Sequence, residues 1–172
     1  MLLFPVLLAA ALAAEPHLPP LQTVPRVELE RYLGTWYEIA TIPQRFQKGC
    51  TGVTATYSLL PGGDIRVVNA CRKDSLNGKP KSVTGKAWVT DKSTNAKLKV
   101  RFFWPFSGDY WIVELDSADY RYAVVGHPNR KYLWILCRRP QMEEPLYRDL
   151  LSRIAGHGYD LSLIRRTLQP EP

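Results

Sequence analysis

The residues able to do chemistry in this 172-residue chain are few, and their spacing limits what they can do. Three cysteines, Cys50, Cys71 and Cys137, allow one bridge and leave one free thiol. No CxxC occurs, and His17, His127 and His157 are too scattered to suggest a metal site. GxSxG, HExxH, the P-loop and GxGxxG are absent, and the carboxylates show no pairing pattern. This inventory points away from an enzyme and implies no cofactor. What remains is a set of Trp and Tyr residues inside apolar runs, with 23 Lys and Arg against 16 acids, a formal net charge of +7. The chemistry on offer is apolar contact with an added attraction for anions.

The elements that must position these residues are short strands. A composition of 45% hydrophobic and 11% aromatic residues excludes disordered and collagen-like classes, and the length suits one domain. Residues 1–14, MLLFPVLLAAALAA, are uncharged, too short to span a bilayer, and offer a small-x-small cleavage site at Ala11-Leu12-Ala13. They read as a signal peptide, which predicts an exported, soluble protein. Residues 15–25 hold four prolines and form an extended lead-in to a domain at 26–168, with 169–172 as a tail. Apolar runs rich in Val, Ile, Tyr and Trp follow at 36–42, 51–60, 64–71, 82–90, 96–103, 109–115, 120–126 and 132–138, separated by turn residues. Pro61-Gly62-Gly63-Asp64 supplies the clearest hairpin turn. In 142–156 the period changes: Leu146, Leu150, Leu151 and Ile154 share one helical face, with Pro145 in the first turn and Gly156 or Gly158 at the stop. Leu161–Thr167 could add an edge strand. The predicted fold is all-β, an eight-stranded antiparallel up-and-down β-barrel with one C-terminal α-helix packed outside.

Gly34-Thr35-Trp36, within Tyr32–Ile39, resembles the opening G-x-W motif of the lipocalin family, and Tyr132–Arg138 looks like the family's final strand, which ends in Arg. Between them, Val53–Ser58 and Phe102–Phe106 look like the bacterial lipocalin and apolipoprotein D branch. The resemblance covers about 26–168. It implies a calyx holding an apolar ligand such as a long-chain fatty acid or lysophospholipid. Two departures stand out. The chain lacks the lipidated N-terminal Cys common among bacterial relatives, and the late Cys with which apolipoprotein D ties down its C-terminus.

Side chains alternate in and out along barrel strands. Trp134, Leu136 and Arg138 then share one face, with Leu133, Ile135 and Cys137 on the other, beneath the helix. Trp111 groups with Val113 and Leu115, Tyr57 with Val53 and Ala55, and Asn69 with Val67. Tyr57, Asn69, Trp111, Trp134 and Leu136 are the candidate ligand wall, and their positions match where the family's walls lie. Trp36 and Arg138 are assigned a structural role, a guanidinium over an indole closing one end. Cys50 and Cys71 lie at the same end of the 51–71 hairpin, within reach of a disulfide.

Loops alternate between the two ends of such a barrel. Those at 43–50, 72–81, 104–109 and 126–131 carry eight basic and two acidic residues, a balance of +6, and the opposite loops at 61–64, 91–96 and 116–119 carry −3. Arg45, Lys48, Arg72 and Arg130 therefore rim the expected mouth and are candidates for an anionic head group. Trp104-Pro105-Phe106 at the same rim could be a lid, a contact with an anionic membrane surface or a self-association patch. Nucleic acid is disfavoured because the aromatics alternate into the barrel instead of interleaving with Arg and Lys on an exposed face. The reading is a monomeric or weakly dimeric lipid carrier in the periplasm, if the source is Gram-negative, in contact with the outer membrane. Its rivals are a structural envelope protein with a filled barrel and a lipocalin-fold enzyme.

Overall fold

The computed structural model of the chain describes residues 18–171. The expected signal peptide and His17 lie outside the described residues. Eight strands close on themselves: β1 (Gly34–Thr41), β2 (Cys50–Leu59), β3 (Ile65–Lys73), β4 (Pro80–Val89), β5 (Lys97–Phe103), β6 (Phe106–Leu115), β7 (Tyr122–Gly126) and β8 (Leu133–Cys137). Each pairs antiparallel with the next, and β1 closes the ring against both β2 and β8. These agree with the expected runs to within three residues at each boundary. A short helix α1 (Leu29–Tyr32) precedes β1, and helix α2 (Glu144–Gly156) lies outside.

Two apolar clusters divide the work of holding this together. One fills the lower barrel and includes Val27, Tyr32, Trp36, Tyr57, Ile65, Val67, Leu98, Ile112, Val125 and Leu136. The other lies between the barrel's outer face and α2, where Tyr147, Leu150 and Ile154 pack on Ala40, Val124, Leu133, Ile135 and Cys137. Fully burying residues such as Leu150 and Ile154 contributes ~1.5–3 kcal/mol each before entropy is charged. The outer cluster explains why the final strands are apolar on both faces. It also leaves Cys137 buried and unbridged.

Two departures from simple alternation matter for the site. A bulge in β6 between Ile112 and Glu114 shifts its pairing with β7, so Tyr110, Ile112 and Leu115 face inward while Trp111 and Val113 pack with the outer cluster. Lys97 Nζ sits 4.5 Å from the centroid of the Trp111 ring on that outer face. Trp111 is therefore not part of the inner wall. The second departure is at β1, which pairs with β2 only from Gly34 to Tyr37. Beyond that point the same strand pairs with β9 (Arg165–Arg166), through Ala40 and Thr41. The C-terminal segment continues down the gap: Thr167 N donates to Ile39 O, Gly52 N to Leu168 O, and Gln169 Nε2 to both Glu38 O and Val53 O at 2.8 Å. The expected edge strand is thus a seam filler, and buried Gln169 belongs to the domain rather than to a tail.

Candidate ligand-binding site

The closed end is finished by one guanidinium. Arg138 lies 3.9 Å above the Trp36 ring centroid, an arrangement worth ~0.5–2 kcal/mol. Its Nη1 and Nη2 donate to Thr35 O and Arg31 O at 3.1 and 2.7 Å, and its Nε to Tyr120 O at 3.3 Å. Trp36 Nε1 donates to Tyr32 O. Gly34 stands at φ +95°, and a β-carbon there would lie 3.2 Å from Arg138 Nη1, so the first residue of the Gly34-Thr35-Trp36 motif is held to glycine both by backbone and by space.

Above this floor the inner wall is made of side chains that are only half-buried: Ala55, Asn69, Val83, Val100, Phe102, Tyr110 and Trp134. Asn69 stands opposite Ala55 and Val83 in the register. The Phe102 ring lies across Gly85, where a β-carbon would come within 2.6 Å of it. Trp134 Nε1 donates to Gln47 Oε1 at 3.3 Å, tying the wall to the 3-10 turn Arg45–Gln47 at the mouth. Of the expected wall residues, Tyr57 and Leu136 sit in the floor cluster, Asn69 and Trp134 line the cup above it, and Trp111 is outside. Tyr110 and Phe102 take the place expected of Trp111.

Three phenols meet at the floor. Tyr110 Oη is 2.8 Å from Tyr32 Oη and 2.8 Å from Tyr57 Oη. Burial pushes Tyr57 up to about 12 and raises Tyr32 and Tyr110 well above the ordinary phenol value, so all three are neutral donors. With Ile65, Val67, Ala87, Leu98 and Val100 they wall a cavity of about 10 Å³. Near the mouth, Glu38 is 4% exposed. Its carboxylate accepts from Gln47 Nε2 at 2.8 Å and from Thr167 Oγ1 at 2.5 Å, with no cation within ion-pair distance among the described residues. Burial raises this carboxyl above the usual range.

The rim divides the four expected basic residues. Arg45 and Lys48 are exposed on the loop between β1 and β2. Arg72 falls on the outward phase of β3, and its Nη1 reaches Gly78 O at 3.4 Å. Arg130 is not available to a head group: its guanidinium donates to the carbonyls of Pro19, Pro128 and His157. It clamps the lead-in to the end of α2. Cys50 and Cys71 are joined, with Cα atoms 5.5 Å apart, which ties the loop after Arg45 and Lys48 to β3. At the tip of the β5–β6 hairpin Phe103, Trp104 and Phe106 are 72%, 82% and 79% exposed.

Glu38, Gln47, Phe102 and Tyr110 were missed as site residues. For Tyr110 the signal was present: Asp109 shares the phase of Trp111, and a carboxylate aimed into an apolar barrel is costly.

Comparison with known proteins gives one consistent result. The family model for the Lipocalin-like domain matches residues 27–169. The chain is 42% identical to temperature-induced lipocalin-1 of Arabidopsis thaliana, over 88% of this chain and 84% of that one. It is 42% identical to the outer membrane lipoprotein Blc of Escherichia coli K12, over 83% and 80%. It is 32% identical to mouse apolipoprotein D, over 88% and 80%. Among solved structures, insecticyanin of the tobacco hornworm superposes with a TM-score of 0.70 at 22% identity, over 90% of this chain and 87% of that one.

Proposed function

The chain belongs to the lipocalin family, and on that premise we propose that it is an exported carrier of a long-chain fatty acid or lysophospholipid, not a catalyst. One observation carries this reading: Ala55, Val83, Val100, Phe102 and Trp134 on the inner wall are only half-buried, and the loop after β1 presents Arg45 and Lys48 to solvent at the mouth end. The acyl tail lies against Trp134 and Phe102, and the anionic head stays at the rim. Burial of the tail is worth ~0.8 kcal/mol per CH₂ before association costs, so length outweighs the head group in affinity. The floor cluster sets the depth that a tail can reach. Catalysis is disfavoured because Cys137, the one free thiol among the described residues, is buried beneath α2 and faces away from the cup.

A role in handling lipids at the cell envelope is supported by the Escherichia coli relative, an outer membrane lipoprotein by name. Three exposed aromatics at the tip of the β5–β6 hairpin stand on the same end as Arg45 and Lys48. Apolar wedges beside basic residues suit transient contact with an anionic bilayer surface. The test is to titrate fatty acids of increasing length and follow Trp fluorescence. Affinity climbs with length until the tail meets the floor, and Trp134→Ala weakens every member. A flat response to length, or unchanged binding in Trp134→Ala, would remove the tail from the barrel.

A further inference from the structure

A row of cations crosses the outer face of the barrel at a cost to the fold. In the strand register Arg66 of β3 stands opposite Lys86 of β4, and Lys86 opposite Arg101 of β5. Val67, Ala87 and Leu98 hold the inward phase of these strands, so all three cations face outward. Directly opposed side chains on neighbouring strands lie ~5 Å apart, where like charges destabilise a sheet. Asp64 pairs with Lys86 at 2.5 Å, but among the described residues neither Arg66 nor Arg101 has an ion-pair partner. Lys99, paired with Asp109, and Lys97 extend the row along β5, giving five cations against two acids. Trp88 and Trp111 lie among them, against the expectation that the aromatics turn inward. Each ring is half-buried and already faced by a cation, Arg101 at 5.6 Å and Lys97 at 4.5 Å. These rings hold the cations in place instead of offering a platform for stacking.

We propose that this flank is a docking surface for an anionic lipid bilayer, with Arg66, Lys86 and Arg101 on the phosphates and the β5–β6 tip in the apolar layer. The proposal rests on the membrane contact put forward above and names the face that makes it. Two observations select a bilayer. Cations held side by side at a cost gain most where a dense anionic surface offsets their repulsion. The same hairpin then continues from Arg101 into exposed Phe103, Trp104 and Phe106, which a soluble polyanion would leave in water. Arg101 precedes Phe103 by two residues, about 7 Å of extended chain. That spacing matches the ~5–10 Å by which apolar side chains of an interfacial element enter the boundary below the head groups. The contact is thereby set on the β3–β5 side of the barrel rather than on the loop of Arg45 and Lys48.

The experiment is co-sedimentation with vesicles of phosphatidylcholine alone and of phosphatidylcholine with about one-third phosphatidylglycerol, at low and at physiological salt. Each cation near an anionic surface adds about fivefold to partitioning, so Arg66→Gln with Lys86→Gln lowers binding to the anionic vesicles roughly twentyfold. The corresponding double change at Arg45 and Lys48 costs less. Trp104→Ser weakens binding at both salt concentrations, because its contribution is not screened. Arg66→Gln alone melts at or above wild type, since it relieves a like-charge contact, and the double variant keeps its affinity for fatty acids without vesicles. A lower melting temperature for Arg66→Gln makes the row structural and overturns the proposal. Equal or greater loss from the Arg45 and Lys48 pair moves the contact to the mouth, which overturns the flank and leaves the membrane reading standing. Heparin or single-stranded DNA bound through Arg66 and Lys86, with no loss on Trp104→Ser, replaces the bilayer by a soluble polyanion and overturns it too. Failure of the wild type to bind anionic vesicles overturns both the flank and the membrane contact, while fatty-acid titration judges the carrier reading separately.

Discussion

The two ends of this barrel are finished in opposite ways. At the closed end the guanidinium and indole donors have acceptors: Arg138 covers the Trp36 ring and gives its hydrogen bonds to Arg31, Thr35 and Tyr120 carbonyls, and Trp36 gives its own to Tyr32. At the mouth the pattern is inverted. Phe103, Trp104 and Phe106 stand in solvent, Arg45 and Lys48 are exposed, and Glu38 is buried against two neutral donors. Interactions that are satisfied internally hold the fold, while those left open are available to a partner. The mouth is therefore the end at which substitutions should change binding, and the floor rim is the end at which they should change stability.

Arg138→Ala is the largest expected effect. It removes a cation–π contact and leaves three backbone carbonyls without their charged donor, at a cost of about 2–4 kcal/mol. For a domain of this size the melting temperature falls by roughly 5–15 °C. Affinity for a fatty acid stays within a few-fold of wild type, because the guanidinium lies below the floor cluster. Loss of binding with an unchanged melt would break the comparison, since the floor rim would then act on the ligand directly.

How much of this contrast was legible follows from what each feature depends on. The closed end is carried by two short motifs, each legible on its own stretch of chain: Gly34-Thr35-Trp36 opening the first strand and Arg138 closing the run 132–138. The two-residue period of that run placed Trp134 and Leu136 inward and Cys137 beneath the helix. Cys50 and Cys71 were legible as well, because a tight turn sets the register of their hairpin. Features that depend on pairing across the sequence were not. One bulge after Ile112 breaks the phase of β6, so a single alternation through Trp111, Val113 and Leu115 put Trp111 inside, against the signal that Asp109 gives in the same phase. The filling of the β1–β2 gap by 165–169 joins segments more than a hundred residues apart and leaves no local mark. Arg130 looked like a rim charge because charge counting cannot see three carbonyls converging from Pro19, Pro128 and His157.

The seam at the mouth supplies a smaller, pH-dependent test. Burial raises the Glu38 carboxyl in the folded state above its unfolded value, so the folded protein binds this proton more readily than the unfolded chain. The group's contribution to stability is therefore full below the ordinary carboxylate range and is lost as pH rises through the raised folded value. Wild type carries the cost of a buried carboxylate at neutral pH, and Glu38→Gln does not. The variant should melt with wild type near pH 4 and above it at pH 7, by less than the Arg138 change. A variant less stable than wild type at pH 7 would show that Gln47 and Thr167 stabilise the charged form outright, and the mouth would be as internally satisfied as the floor.

The smallest effect belongs to the exposed charges. Arg45 and Lys48 stand in solvent on the loop after β1, so an anionic head group meeting them forms a surface pair worth ~0–1 kcal/mol. Converting both to Ser should weaken fatty-acid binding by no more than about fivefold at low ionic strength. At physiological salt, where the screening length is about 8 Å, the difference should shrink toward nothing, while the dependence on tail length persists unchanged. Arg130 provides the internal control. It carries the same charge at the same end, but its donors are committed to three carbonyls, so Arg130→Ser should lower the melting temperature and leave the salt dependence of binding as it was. If Arg130→Ser instead removed the salt-sensitive part of affinity and the Arg45 and Lys48 pair did not, the head group would lie on the α2 side of the mouth. The division between satisfied and open cations would then be drawn through the wrong residues.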